Sequence, residues 1–246
     1  MNIFKKALLK LSPQKLKDIY QFELKLQLSE LNRGEALLSY SQQAEDLAIQ
    51  RYFEDKQNGF FIDIGAFHPI KYSNTYLFYK KGWNGINIEP NPENIELFKV
   101  IRPNDLTLNI GISDQPQKLT YYQFNVSALN TFDEMHANQW AKKEGFSIKK
   151  TLEIETFPLK EILQKHLKKE QIIDFMTIDV EAYDLKVLKS NDWENYRPTL
   201  LLVEEYVYDK NSFQESEICK YMGIIGYKLW CISGGTIIFS DGRIQD

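Results

Sequence analysis

The residues of this chain that could do chemistry are carboxylates standing at the ends of apolar runs. Phe60-Phe61-Ile62 leads into Asp63-Ile64-Gly65-Ala66, and Gly85-Ile86-Asn87-Ile88 leads into Glu89. A third run ending in Phe175-Met176-Thr177-Ile178 leads into Asp179-Val180-Glu181, and Leu200-Leu201-Leu202-Val203 leads into Glu204-Glu205. An ionised carboxylate only accepts hydrogen bonds, so an acid in such a place can hold two ribose hydroxyls, take a proton from a hydroxyl, or bind a hard cation. Gly65 has no Cβ and lets the backbone come close to a ligand. Glu89 stands 26 residues beyond Asp63, in the place where nucleotide-binding α/β folds carry the ribose acid. The turn after Asp63 has neither Gly-x-Gly-x-x-Gly nor Gly-Lys-Ser/Thr, so nothing there cradles a pyrophosphate. The pattern fits a nucleoside cofactor without phosphates, of which S-adenosylmethionine is one.

Acids on four strands act together only if one edge of a sheet gathers them, and a parallel sheet gathers strand ends at its C-terminal edge. The rest of the chain has that alternation. A helix is expected over 40–53, a strand over 60–64, a helix over 73–83, a strand over 85–89, a helix over 92–100 and a strand over 106–112 with its exit at Ser113-Asp114. After an interruption the pattern resumes with a helix over 159–167, a strand with its exit over 172–181, a helix over 182–190, a strand over 199–205 and a helix over 215–223. Runs over 227–232 and 236–239 flank Gly234-Gly235 as a hairpin. This predicts an α/β protein with a doubly wound, mostly parallel sheet and helices on both faces. Residues 115–157 break the alternation with one strand, 119–124, and a polar, aromatic stretch over 127–146, placed to close over a substrate. Residues 1–38 read as a helical extension of two helices broken at Ser12-Pro13, leaving 39–246 as the domain proper.

Composition narrows the classes. The chain has 246 residues, 43% hydrophobic and 13% aromatic, which is enough for one large core. A net charge of −4 gives no general attraction to nucleic acid. Two cysteines, Cys219 and Cys231, make no disulfide framework and suit a reducing, cytoplasmic compartment. No run approaches the roughly 20 apolar residues of a membrane span. The basic, apolar start at Met1–Leu11 has no cleavage site; it suits a docking helix, a surface for self-association, or a weak peripheral attachment to membrane.

Taken together, Ser-Gln-x-x-Glu-Asp at 41–46, Phe-Ile-Asp-Ile-Gly-Ala-x-x-Pro at 61–69, Ser-Asn-Thr at 73–75, Gly-Trp-x-Gly-x-x-Ile-Glu-Pro-Asn at 82–91, Gly-x-Ser-Asp at 111–114 and Ile-Asp-Phe-Met-x-Ile-Asp-Val-Glu at 173–181 resemble the FkbM family of S-adenosylmethionine-dependent methyltransferases. The resemblance implies a Rossmann-like seven-stranded methyltransferase sheet ending in an antiparallel hairpin. It also implies O-methylation of a sugar or natural-product hydroxyl, with a nucleotide-linked sugar or a surface glycan such as a capsular polysaccharide as acceptor. Carried over by position, Asp63 and Gly65 line the methionine part of the cofactor, and Ala66, Ser73, Asn74 and Thr75 are further cofactor-binding positions. Glu89 takes the ribose, Asn91 the adenosine side, Ser113 and Asp114 the adenine edge, and Gln42 the cofactor's carboxylate. Where the family often has glycine after Asp-Val-Glu, this chain has Ala182.

A sugar hydroxyl is a poor nucleophile and needs a base or a metal. Asp179, Glu181 and His68 are the candidate bases; His68 is equally well read as a turn residue. Asp179 with Glu204 and Glu205 could instead hold Mg²⁺ or Mn²⁺, although alternation sends Glu204 and Glu205 to opposite faces. Tyr121, His136 and Trp140 could stack on a sugar ring. A different class of function, a non-catalytic module docking into a glycan-assembly complex through residues 1–38, is the alternative.

Overall fold

The computed structural model describes residues 36–54, 56–205 and 215–244, with positions 21, 25, 28–31, 33 and 34. The chain divides into two compact units, Met1–Ser39 and Tyr40–Asp246. In the first, positions 21, 25 and 28–31 are helical; the expected break at Ser12-Pro13 and the membrane-facing start lie outside the described residues. Among the described residues no helix is long and apolar enough to cross a membrane.

The second unit begins with α1, Glu45–Phe53, then β1, Phe60–Ile64, α2, Tyr76–Lys80, β2, Asn84–Ile88, α3, Pro92–Ile101, and β3, Leu106–Leu108. It continues with β4, Gly111–Ile112, β5, Gln117–Phe124, a 3₁₀ turn at Ser127–Leu129, α4, Glu134–Ala141, and β6, Ile148–Phe157. The last part is α5, Leu159–His166, β7, Phe175–Ile178, α6, Asp184–Lys189, β8, Leu200–Glu204, α7, Glu217–Ile224, β9, Tyr227–Ser233, and β10, Thr236–Asp241.

Seven strands form one sheet in the order β3-β2-β1-β7-β8-β10-β9. All pairings are parallel except those of β10, which runs antiparallel to β8 and to β9. This is the sheet, with its terminal hairpin, that the alternation and the resemblance led one to expect. Alternation along β1 separates two cores. Phe61 packs with Phe78, Trp83, Phe175 and Leu202 on one face, while Ile62 and Ile64 pack with Ile86, Ile88, Met176 and Val203 on the other. Trp83 is fully buried, and removing such a ring typically costs about 3–5 kcal/mol.

Three expectations change in detail. The strand expected over 106–112 is two: β3 closes the main sheet, whereas β4 joins β6 and β5 in a second, three-stranded sheet. The interruption at 115–157 is mostly this second sheet with α4, and β6 pairs with β5 along almost its whole length. The helix expected from Ala182 starts at Asp184, because Glu181 and Ala182 have φ of 53° and 73° and cannot belong to a right-handed helix.

Candidate functional site

Strand order reverses between β1 and β7, and the crevice above such a switch point is where open α/β sheets bind ligands. Here the strand ends are stitched together tightly. Gly65 and Ala66 donate their N–H groups to the Ile88 carbonyl at 3.0 and 3.1 Å, and Asp179 N–H donates to Ile64 O at 3.0 Å. Gly65 has φ +81°, and a Cβ on it would lie 1.8 Å from the Asp179 carbonyl oxygen. The glycine is needed for the joint itself as well as for access to what sits above it.

Over this joint lies a cavity of about 180 Å³. Gly65, Glu89, Asp179, Glu181 and Glu204 line its sheet side, with Gln42 beside them. Phe67 and Tyr72 wall one flank; Tyr121, Phe132 and residues 127–131 of the second-sheet segment wall the other. Gln42 is brought here because its neighbour Gln43 is clamped to the β9–β10 hairpin. Gly235 N–H donates to Gln43 Oε1 at 3.0 Å and Ser233 Oγ to Gln43 O at 2.6 Å. Behind that turn the Asp46 carboxylate accepts from Tyr40 N–H and Ser41 Oγ at 2.7 and 2.9 Å, so the Glu-Asp of the motif holds the turn's shape.

Glu89 is buried at the head of the cavity, and its two carboxylate oxygens accept separately from the N–H groups of Phe67 and Asn91, each at 2.7 Å. Burial pushes its carboxyl up to about 8 in spite of those bonds. Opposite, Asp179, Glu181 and Glu204 each offer a carboxylate oxygen within 4.8 Å of the others. Burial, followed by the facing carboxylates of Glu204 and Glu181, raises the Asp179 carboxyl well above its ordinary value. Like charges this close cannot all ionise cheaply, so the cluster holds a proton or would accept a cation.

Several expected site residues stand elsewhere. Asp63 is not on the cavity wall. It accepts from Thr75 Oγ1 at 2.7 Å, and burial raises its carboxyl to about 6 against the pull of Arg102. Ser73 Oγ and Thr75 Oγ1 contact each other at 3.2 Å and Arg102 Nη1 at 3.4 and 2.9 Å, so their polar atoms are spent inside the fold. Asn74 donates to Thr177 Oγ1 at 3.0 Å and borders a small recess that shares Gln42, Tyr72, Asp179 and Glu204 with the cavity. Asn91 caps α3 through Glu93 N–H at 3.1 Å. Ser113 and Asp114 bond to each other and to Gln117, away from the cavity lining.

Two of the candidate catalytic and metal residues are placed against those roles. His68 Nδ1 accepts from the N–H groups of Ile70 and Lys71, both at 3.0 Å, which occupies its lone pair and leaves Nε2 to carry the proton. Burial and then Lys71 lower its affinity for a second proton. Glu205 faces Ser216 and Glu217 on the other side of β8, as the period of two requires, while Glu181 takes the third place beside Asp179 and Glu204. Tyr121 does line the cavity, but His136 and Trp140 are bonded to each other at 2.9 Å outside it.

Three residues here had no signal in the sequence. Arg102 is fully buried among the rings of Phe61, Tyr79 and Phe98, pairs with Asp105 at 2.7 Å, and supports Thr75 and so Asp63. Asn109 donates to the carbonyls of Glu89 and Pro90, both at 2.9 Å, and fixes the Glu89 turn. Thr131 donates to the carbonyl of Glu181 at 2.7 Å. Each works through a contact between segments far apart in the chain, and a lone Arg, Asn or Thr belongs to no motif.

No curated protein matches the sequence. Among solved structures, the FkbM methyltransferase of Methylobacillus flagellatus aligns at 12% identity and a TM-score of 0.45, over 82% of this chain and 48% of that one. The present chain thus spans about half the length of that relative. An O-methyltransferase of Bacillus cereus, solved in complex with SAH, aligns at 12% identity and a TM-score of 0.40 over 96% and 95% of the two chains. A TehB-like SAM-dependent methyltransferase of Corynebacterium glutamicum aligns at 9% identity and 0.40, over 94% and 100%. In sequence, the methyltransferase FkbM domain is matched over residues 63–229, from Asp63 in β1 into β9. That match covers well over half of the chain, which belongs to the FkbM methyltransferase family.

Proposed function

We propose that the protein is an S-adenosylmethionine-dependent O-methyltransferase acting on a hydroxyl of a sugar, either nucleotide-linked or part of a surface glycan. The observation that carries the hydroxyl reading is the group of three carboxylates, Asp179, Glu181 and Glu204, with one oxygen of each within 4.8 Å of the others, on the cavity lined by Gly65 and Glu89. Gly65, Glu89 and Gln42 fit a phosphate-free nucleoside cofactor: the cavity offers carboxylate acceptors for hydroxyls and, among the described residues, no basic side chain for a phosphate. The cofactor supplies an electrophilic methyl group on a sulfonium. Everything else falls to this chain.

Displacement at the methyl group needs the acceptor oxygen in line, so holding the acceptor is most of the task. Tyr121 and Phe132 on one flank and Phe67 and Tyr72 on the other offer ring faces for that purpose. As the methyl group passes to the acceptor oxygen and its bond to the sulfonium sulfur breaks, the acceptor's O–H proton would pass to a carboxylate oxygen of Asp179 or Glu204. A carboxyl held above its usual range is a stronger base than a free one. Asp179, Glu181 and Glu204 also form a donor set of hard oxygens that fits Mg²⁺ or Mn²⁺, which would lower the acceptor's pKa when bound. A non-catalytic docking module would have no use for an acid group kept at the cavity.

The test is calorimetric titration with S-adenosylmethionine, then methyl transfer to a panel of methyl glycosides, free glycans and nucleotide-linked sugars. Asp179→Asn should lose about 100-fold or more in kcat while cofactor affinity stays within about threefold. An absence of binding at millimolar cofactor would sink the reading. Activity unchanged by exhaustive chelation would remove the metal and leave a carboxylate as base.

A further inference from the structure

Glu181 and Ala182 are consecutive non-glycine residues in the left-handed region, with φ of 53° and 73°. Such a pair is strained and persists only where surrounding contacts over-determine it. On one side the loop is held by its own helix, since Val180 N–H donates to Asp184 Oδ1 at 3.2 Å. On the other side the contact comes from the second-sheet segment. Thr131 is buried, and its Oγ1 donates to the Glu181 carbonyl at 2.7 Å while accepting from Asp133 N–H at 2.9 Å.

That second bond gives the hydroxyl a reach beyond the turn. Asp133 caps α4 by accepting from His136 N–H at 2.7 Å. The helix in turn carries His136, whose Nε2 lies 3.5 Å from Glu181 Oε2. One oxygen therefore ties the main chain of Glu181 to the start of the helix that faces its side chain. Thr131 cannot drift, because its N–H and carbonyl bond both ways with Tyr122 of β5 at 3.2 and 2.9 Å.

We infer that Thr131 is a positioning residue, holding the strained Glu181–Ala182 turn so that the Glu181 carboxylate stands beside Asp179 and Glu204. The inference rests on reading this cavity as the methyl-transfer site. Removing the hydroxyl orphans the Glu181 carbonyl and the Asp133 N–H together, and the turn loses the contact that offsets its strain.

The experiment compares Thr131→Val, which keeps the shape and loses both bonds, with Thr131→Ser, which keeps them. In hydrogen exchange, Thr131→Val should speed exchange in the 180–184 segment by about tenfold or more, leave the β1 and β2 amides unchanged, and be rescued by Thr131→Ser to within about threefold. With the best acceptor of the panel, kcat should fall about tenfold while KM for S-adenosylmethionine holds, again with rescue by serine. Unchanged exchange at 180–184, equal effects of Val and Ser, or faster exchange throughout the sheet would each overturn the proposal. If Thr131→Val does not fold, Thr131→Cys, whose thiol is a weak donor, takes its place in both arms. The exchange arm needs no acceptor, so it decides the role of Thr131 even if titration with S-adenosylmethionine removes the methyltransferase reading.

Discussion

Replacing Gly65 by alanine should injure this protein more than its one methyl group suggests, and the structure separates two reasons. At φ +81° any Cβ is strained, which costs on the order of 1–2 kcal/mol. In addition the new Cβ would lie 1.8 Å from the Asp179 carbonyl oxygen and 2.9 Å from its carbon. These are backbone atoms of the neighbouring strand end, which cannot swing aside as a side chain would. Forcing β1 and β7 apart adds an overpacking cost of about 1–3 kcal/mol. The sum, roughly 2–5 kcal/mol, corresponds to a thermal midpoint lower by about 4–20 °C for a chain of this size. Gly82 provides the control: its φ is +93°, and nothing lies within 4 Å of its Cβ position. Gly82→Ala should pay the strain alone, about 1–2 kcal/mol. Urea unfolding followed by tryptophan fluorescence gives both values. Titration with S-adenosylhomocysteine should show weakening by about tenfold or more for Gly65→Ala and no change for Gly82→Ala. Equal destabilisation by the two substitutions would refute the backbone clash.

Other outcomes follow from the carboxyls and the strained turn. If Glu89 holds hydroxyls as a carboxylate, S-adenosylhomocysteine affinity should rise with pH up to about 8, where that group ionises in the free protein, and Glu89→Gln should lose both affinity and most of the slope; an unchanged slope would remove Glu89 from the site. Asp63, Glu89 and Asp184 are raised to about 6, 8 and 8 by burial. The folded protein therefore binds their protons more tightly than the unfolded chain, and the stability they confer is complete at low pH and lost as pH climbs through 6 and then 8. The midpoint of the ligand-free protein should accordingly be lower near about pH 8.5 than near about pH 5.5, and a rise across that interval would contradict the burial of these groups. Ala182→Gly removes left-handed strain at φ 73° and should stabilise by about 0.5–1 kcal/mol in urea after the entropic cost of glycine; destabilisation of that size would show that the turn is unstrained.

Much of the architecture is legible in the amino-acid sequence. Alternating apolar runs and helical stretches dictated a parallel sheet, because period-two and 3.6-residue patterns are local and each run carries its own. Strand ends closing in acids dictated where chemistry would gather, since a parallel sheet delivers those ends to one edge. Gly65 and Glu89 on the cavity wall, and the opposite facing of Glu204 and Glu205, follow from that same local geometry. The motif Ser73-Asn74-Thr75 was visible as well, but its side chains turn inward to Asp63, Arg102 and Thr177.

Only the tertiary structure decided the partners. That Glu181 joins Asp179 and Glu204, that Thr131 reaches the Glu181 turn, and that Arg102 underpins Asp63 all depend on segments far apart in the chain meeting at hydrogen-bond distance. The split of 106–112 between two sheets was hidden for the same reason: β4 finds its partner in β6, more than 40 residues on. Spacing along the chain records which side chains share a strand or a helix face. It carries no record of which buried acceptor will lack a donor until the fold closes, and that shortage selected Thr131, Asn109 and Arg102.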